Sequence, residues 1–288
     1  MKLELKALRY NMINNLIIAI IKVAGGIFFK LGSLYADGMH TFSDFITDIV
    51  CMVSSKVTKK RPTKYHPYGF GQVEYLTNLF VGIVLLALGL FIIINAFLKR
   101  NESTIPPLSV LIVLVVSFVL KLIAIRIMNT TGKKINSNVL ITSVQESKAD
   151  LYSTIGVVII TILLQFSNTV PVLRYADFIG SMIIGFIVLK TAYTIIVSNS
   201  LSIIGETEKN TEINDKICEY LKKYKKIINQ KIELLKYGPY YQLHLTLQLD
   251  PNISLKQAEK MMATIKRDLV RTRSLKIKYV TIYLTDKI

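Results

Sequence analysis

Four side chains able to bind protons or metal ions recur along one apolar stretch of the chain. Asp37, His40, Asp44 and Asp48 stand at i, i+3, i+7 and i+11. At about 100° per residue a helix gathers them into roughly one quarter of its circumference. A second stretch carries Glu146 and Asp150 one turn apart, with Ser153 and Thr154 continuing that face. Residues four apart on a helix stand side by side, with about 5–6 Å between Cβ atoms. His40 with Asp44, and Glu146 with Asp150, can therefore each reach one ion about 2 Å away. Facing one another, the two pairs surround a point with one nitrogen and three carboxylates. Carboxylates that close repel when all are ionised, and either protons or a divalent cation relieve the repulsion. Binding one releases the other, which is the coupling a metal/proton exchanger needs. Asp37 and Asp48, at the ends of the stripe, read as helix-terminal polarity beside a solvated vestibule.

The elements holding these residues must be apolar and long. Of 288 residues 51% are hydrophobic, and the mean hydropathy is +0.44, more than an ordinary soluble domain carries. Only 14 Gly and 7 Pro exclude a low-complexity chain, and two cysteines exclude a disulfide framework. Six stretches approach the ~20 residues needed to cross the hydrocarbon layer: about 16–29, 34–53, 77–98, 106–128, 139–166 and 176–197. No small-residue cleavage site follows the first, so it reads as a span and not as a signal peptide. A charged side chain at mid-membrane costs at least about 2.5–3.5 kcal/mol, so the acidic residues of the second and fifth spans mark the place where function is expected. Lys22, Lys121 and Lys190 are expected to snorkel or to pair with a carboxylate.

The net charge is +17, and its distribution gives an orientation. Lys2, Lys6, Arg9, Lys56, Lys59, Lys60, Arg61, Lys64, Arg126, Lys133 and Lys134 flank one set of span ends. Only Lys30, Lys99, Arg100 and Arg174 flank the other. The positive-inside bias then places both termini in the cytoplasm of a multi-pass protein of the plasma or inner membrane.

From about residue 201 the composition changes. An amphipathic helix over 209–224 precedes two strand-like runs within 229–249, split by Gly238-Pro239. The second run alternates strictly over 242–249, as a half-buried strand does. A helix over 255–270 and a strand over 277–284 complete an αββαβ order. The expected architecture is an all-α six-helix transmembrane domain, residues 1–200, followed by a small cytoplasmic α+β, ferredoxin-like domain, residues 201–288.

Residues 34–44 (LYADGMHTFSD), 66–74 (HPYGFGQVE) and 147–150 (SKAD) make the chain similar to the cation diffusion facilitators over essentially its whole length. The resemblance implies a homodimer that exports divalent transition metals in exchange for protons. It also implies a cytoplasmic tail that dimerises and senses metal. The transport-site positions fall on His40, Asp44, Glu146 and Asp150. Where zinc-transporting members commonly place His, and manganese members Asp, this chain has Glu146. One nitrogen with three carboxylates is a hard donor set that favours Mn²⁺ or Fe²⁺, while Zn²⁺ accepts carboxylates as well. Asp37, His66 and His244 are the remaining positions considered for a secondary metal. Phe70 and Gln72 stand where some members carry a second loop His and a Lys, so no loop site is expected at His66. The tail offers His244 with Glu259 and Asp286, too few donors for a sensing site, so it is expected to serve dimerisation.

Two other function classes compete. An intramembrane enzyme using Asp and His lacks any HExxH or GxSxG motif. A membrane-tethered binder of anionic lipid or nucleic acid, through Lys222, Lys223, Lys225 and Lys226, leaves the buried carboxylates unexplained. The expected partners are the bilayer, a second copy of the chain and the metal ion, with no nucleic acid and no resident cofactor.

Overall fold

A computed structural model describes residues 2–58, 60–100, 105–135, 138–207 and 211–285. Six long helices come first: α1 (Lys2–Phe28), α2 (Gly32–Thr58), α3 (Val73–Leu98), α4 (Val110–Ile135), α5 (Asn138–Gln165) and α6 (Ala176–Ile203). Several extend past their apolar runs into polar sequence, where nothing breaks helical hydrogen bonding: α1 at its start, α2 and α6 at their ends. α1 thus starts at Lys2, well before the apolar residues that announce it. Five helices among the described residues are long and apolar enough to cross a membrane. α2 matches α1 at 27 residues, but its polar stripe holds it below that measure.

The chain divides into two compact units, Met1–Met52 with Phe80–Ile196, and Val53–Leu79 with Val197–Ile288. In the first, an apolar core draws Leu34 and Ala36 from α2, Leu85 from α3, Leu114 from α4, Val157 from α5 and Val188 from α6. Large apolar side chains such as Ile20, Phe80, Ile94, Val115, Ile159 and Phe186 point outward and exposed, the surface expected of helices whose solvent is lipid. Two devices seat α2. Asp177 of α6 accepts hydrogen bonds from the Gly32 and Ser33 backbone N–H groups, at 2.8 and 2.7 Å. It thereby satisfies donors that a helix start leaves unpaired and sets a negative charge at the positive end of the dipole. Gly38 lets α1 come close, since a Cβ there would stand 2.7 Å from the Val23 backbone nitrogen. That approach brings the first residue of the polar stripe against α1.

The second unit contains α7 (Thr211–Leu221), β1 (Ile227–Tyr237), β2 (Tyr240–Leu249), α8 (Leu255–Arg271) and β3 (Ile277–Thr285), in the order expected. The sheet order is β1-β2-β3. β1 and β2 form an antiparallel hairpin, and β3 returns parallel to β2 after α8. The alternation in β2 buries Leu243, Leu245 and Leu247 completely against Ile217, Ile265 and Leu269 of α7 and α8. Ser254 caps α8 by accepting from the Gln257 N–H. This unit also takes in Val53–Leu79, the end of α2, the α2–α3 connection and the start of α3, which the sequence reading groups with the helices. The hairpin turn explains why. Gly238 has φ +64 and packs against the Gly71 carbonyl, where a side chain has no room. Its N–H donates to the Tyr75 hydroxyl at 2.9 Å, and the Tyr240 hydroxyl donates to the Tyr68 carbonyl at 3.1 Å.

Candidate metal centre

The stripe on α2 and the acidic pair on α5 meet inside the first unit. Ligand atoms of His40, Asp44 and Asp150 all lie within 4.8 Å of one another, and among the described residues this is the one group of three such donors so close. An ion about 2.0–2.2 Å from each donor spaces opposite ligands by at most about 4.4 Å, so the cluster closes on an ion with small side-chain adjustments. Two buried atoms at this place have no hydrogen-bond partner among the described residues, His40 Nδ1 and Asp44 Oδ2. An unsatisfied buried acceptor or donor costs about 1–3 kcal/mol, a cost an ion or a proton would remove. His40 Nε2 faces Asp150 Oδ1 at 3.7 Å.

The other oxygen of Asp150 is occupied from a third helix. Lys121 of α4 places Nζ 2.6 Å from Asp150 Oδ2 and donates to Asn15 Oδ1 of α1 at 2.9 Å. Asn15 in turn donates from Nδ2 to Asp48 Oδ2 at 3.2 Å. A continuous polar chain, Asp48–Asn15–Lys121–Asp150, therefore crosses four helices and ends on the cluster. The Thr154 hydroxyl lies 3.0 Å from the Asp150 backbone carbonyl, one turn along α5.

Glu146 does not join the cluster. Its side chain is exposed, whereas its partner in the i, i+4 pair, Asp150, turns into the bundle. Asp37 departs from expectation in the opposite direction. It is not vestibule polarity but a buried residue, 1% exposed, and its carboxylate is fully engaged. Lys22 Nζ lies 2.7 Å from Oδ2, Ser153 donates to Oδ1 at 2.7 Å, and Thr154 Oγ1 lies 3.3 Å from Oδ2. Both oxygens thus have a partner, and an ammonium already occupies the place a metal would take. Asp48, the other end of the stripe, is spoken for by Asn15. His66 is an exposed loop residue with Nδ1 3.3 Å from Thr63 Oγ1 and its ring 4.6 Å from that of Phe70. His244 lies on the β2 face beside Gln242, at 3.0 Å, opposite Glu233 of β1. Glu259 is exposed on α8, and Asp286 lies outside the described residues.

Sequence reasoning anticipated that Lys22 and Lys121 would pair with carboxylates or snorkel; both pair, and both are buried. It missed Asn15. The available signal was three asparagines, Asn11, Asn14 and Asn15, in a helix otherwise suited to lipid; all three are buried.

Comparison with known proteins bears on the whole arrangement. The cation efflux transmembrane domain matches residues 8–204. The manganese efflux system protein MneP of Bacillus subtilis is 28% identical over 89% of this chain and 89% of its own length. MneS, a second manganese efflux system protein of that organism, is 27% identical over 65% of this chain and 64% of its own. The cadmium, cobalt and zinc/H(+)-K(+) antiporter of the same organism is 24% identical over 68% and 62%. The matched segment takes in both stretches that build the cluster, and the chain belongs to the cation efflux family of multi-pass membrane transporters.

Proposed function

We propose that the protein is a secondary transporter that exports a divalent transition-metal cation from the cytoplasm in exchange for protons, with Mn²⁺ as its first substrate and Fe²⁺ and Zn²⁺ as weaker ones. The observation that carries this reading is the convergence of His40, Asp44 and Asp150, with His40 Nδ1 and Asp44 Oδ2 buried and unpartnered. One imidazole with two carboxylates is a hard donor set suited to Mn²⁺. Two relatives named as manganese efflux proteins agree with that choice. A metal ion and protons compete for the same lone pairs, so loading one expels the other, and a relative named as a cadmium, cobalt and zinc/H(+)-K(+) antiporter supports such exchange.

Glu146 has a lesser part in this reading, as an exposed carboxylate that attracts cations toward the site. The lysine and arginine distribution supports a cytoplasmic location for both termini in the plasma or inner membrane. The sequence resemblance supports a homodimer, with the αββαβ tail as its dimerising part. No resident cofactor is required. Neither His66 nor His244 belongs to a group of three converging donors among the described residues, and neither holds a regulatory metal in this scheme.

The test is uptake of Mn²⁺, Fe²⁺, Zn²⁺ and Co²⁺ into proteoliposomes under an imposed pH gradient, with Asp150→Ala alongside. Saturable Mn²⁺ uptake that collapses with the gradient and vanishes in the variant is the expected result. Absence of uptake for every metal by folded wild-type protein would overturn the proposal.

A further inference from the structure

Lys121 is the feature of the bundle that metal coordination alone does not require. Its side chain is 5% exposed and that of Asp150 12%, so the pair is held away from bulk water. The ammonium takes Oδ2 of the carboxylate whose Oδ1 faces His40. A divalent cation bound by His40, Asp44 and Asp150 would therefore share Asp150 with a second, tethered cation. In a medium of low effective dielectric, like charges at such spacing repel strongly. The structure also offers Lys121 a place to go. Asn15 Oδ1 already accepts from Nζ at 2.9 Å, and behind it stands the Asp48 carboxylate, bonded to Asn15 Nδ2. Because Asn15 already holds Nζ, the ammonium can release Asp150 and keep a hydrogen-bond partner.

We propose that Lys121 is a built-in counter-cation for the transport site, a reading that rests on the metal-transport function argued above. It neutralises Asp150 when no metal is bound. It withdraws toward Asn15 and Asp48 when a divalent cation enters, and it returns to help displace that cation. Lys121 keeps its charge throughout and acts by position. It weakens metal binding and speeds release, and Asn15 sets how easily it withdraws. A site with two carboxylates and an imidazole would otherwise hold a transition metal too tightly for turnover, so the lysine exchanges affinity for rate.

The experiment measures half-saturation and maximal rate of Mn²⁺ uptake in proteoliposomes, with equilibrium Mn²⁺ binding to the same purified protein, for wild type, Lys121→Met, Lys121→Arg and Asn15→Ala. Lys121→Met should bind Mn²⁺ at least about tenfold more tightly, a change of about 1.4 kcal/mol, while its maximal rate falls. Lys121→Arg should stay near wild type in affinity, since the charge remains. Asn15→Ala should move the other way, to weaker binding, because the withdrawn ammonium loses a partner. A lysine that only held helices together would lower rate and amount of folded protein without tightening binding. Unchanged or weaker Mn²⁺ affinity in folded Lys121→Met would overturn the proposal. If that variant fails to fold, equal or tighter binding in Asn15→Ala would overturn it. Failure of wild-type protein to bind or move any divalent metal would instead overturn the transport function, and this inference with it.

Discussion

Two buried lysine–aspartate pairs stand in the same bundle at almost the same spacing, 2.7 Å for Lys22–Asp37 and 2.6 Å for Lys121–Asp150. Their surroundings differ. Asp37 is surrounded by Lys22, Ser153 and Thr154, and Lys22 also donates to Thr154 at 2.8 Å. Nothing in that group is left over, and it ties α1, α2 and α5 together. Around Asp150 the bonding is incomplete, with His40 3.7 Å from one oxygen and two buried atoms of His40 and Asp44 unpartnered. A saturated ion pair is a fastening, whereas an unsaturated one can exchange partners. The ion-pair distance does not distinguish the two. The count of neighbouring lone pairs and protons does.

The largest effect should come from the unsaturated pair. Asp150→Ala removes a ligand and leaves Lys121 without its carboxylate, and transport should fall at least about 100-fold, read as initial Mn²⁺ uptake. Breaking the saturated pair should act on folding instead. Asp37→Ala leaves Lys22 buried and uncompensated, a loss of about 3–5 kcal/mol, seen as a lower thermal midpoint in detergent. Lys22→Met combined with Asp37→Leu should recover much of that stability. If Asp37→Ala were as stable as wild type and altered only metal affinity, the contrast between fastening and exchanger would be broken.

Glu146 sharpens the comparison from outside. Exposed and away from the cluster, it should change half-saturation by less than about threefold when replaced by Ala, and Glu146→His should leave competition between Zn²⁺ and Mn²⁺ unchanged. A clear shift toward Zn²⁺ would mean that α5 turns during transport to bring this position inward. The smallest effect belongs to a solvent-facing carboxylate in the tail. Asp268 accepts a hydrogen bond from the Tyr220 hydroxyl at 2.9 Å, which holds its carboxyl below the usual carboxylate range. The depressed pKa makes its contribution complete above that range and lost as pH falls through it. Tyr220→Phe should therefore flatten the acid side of the tail's unfolding profile slightly, measured by thermal scans between neutral and acidic pH.

The helices and the tail topology were legible because they rest on local periodicity. The strict alternation over 242–249 became β2, and Gly238-Pro239 became the turn between β1 and β2. The i, i+4 spacing also paired His40 with Asp44 and Glu146 with Asp150, and the family resemblance brought the two pairs together. What it could not provide is how far each helix is rotated about its own axis, so Glu146 and Asp150 looked equivalent until α5 turned one outward. Nor does spacing reveal partners more than a hundred residues away. Lys22 on Thr154, Asn15 on Lys121 and Asp177 on the start of α2 are all tertiary pairings. Asp37 misled for a related reason, since its type suggests water and only its three partners, Lys22, Ser153 and Thr154, make it dry.

The meeting of Gly238 with the Gly71 carbonyl has a consequence for inheritance. A side chain at Gly238 would strike the Gly71 carbonyl, and one at Gly71 would strike Tyr237 and Tyr240 of the hairpin, although the codons of the two glycines lie more than a hundred and sixty positions apart. The tail is therefore not a free cassette. A recombinant that takes its hairpin from one relative and its α2–α3 connection from another should fail at this seam, whereas one that carries both across together should survive. Natural exchange of tails among such transporters would have to respect the same boundary, with the loop travelling as part of the tail.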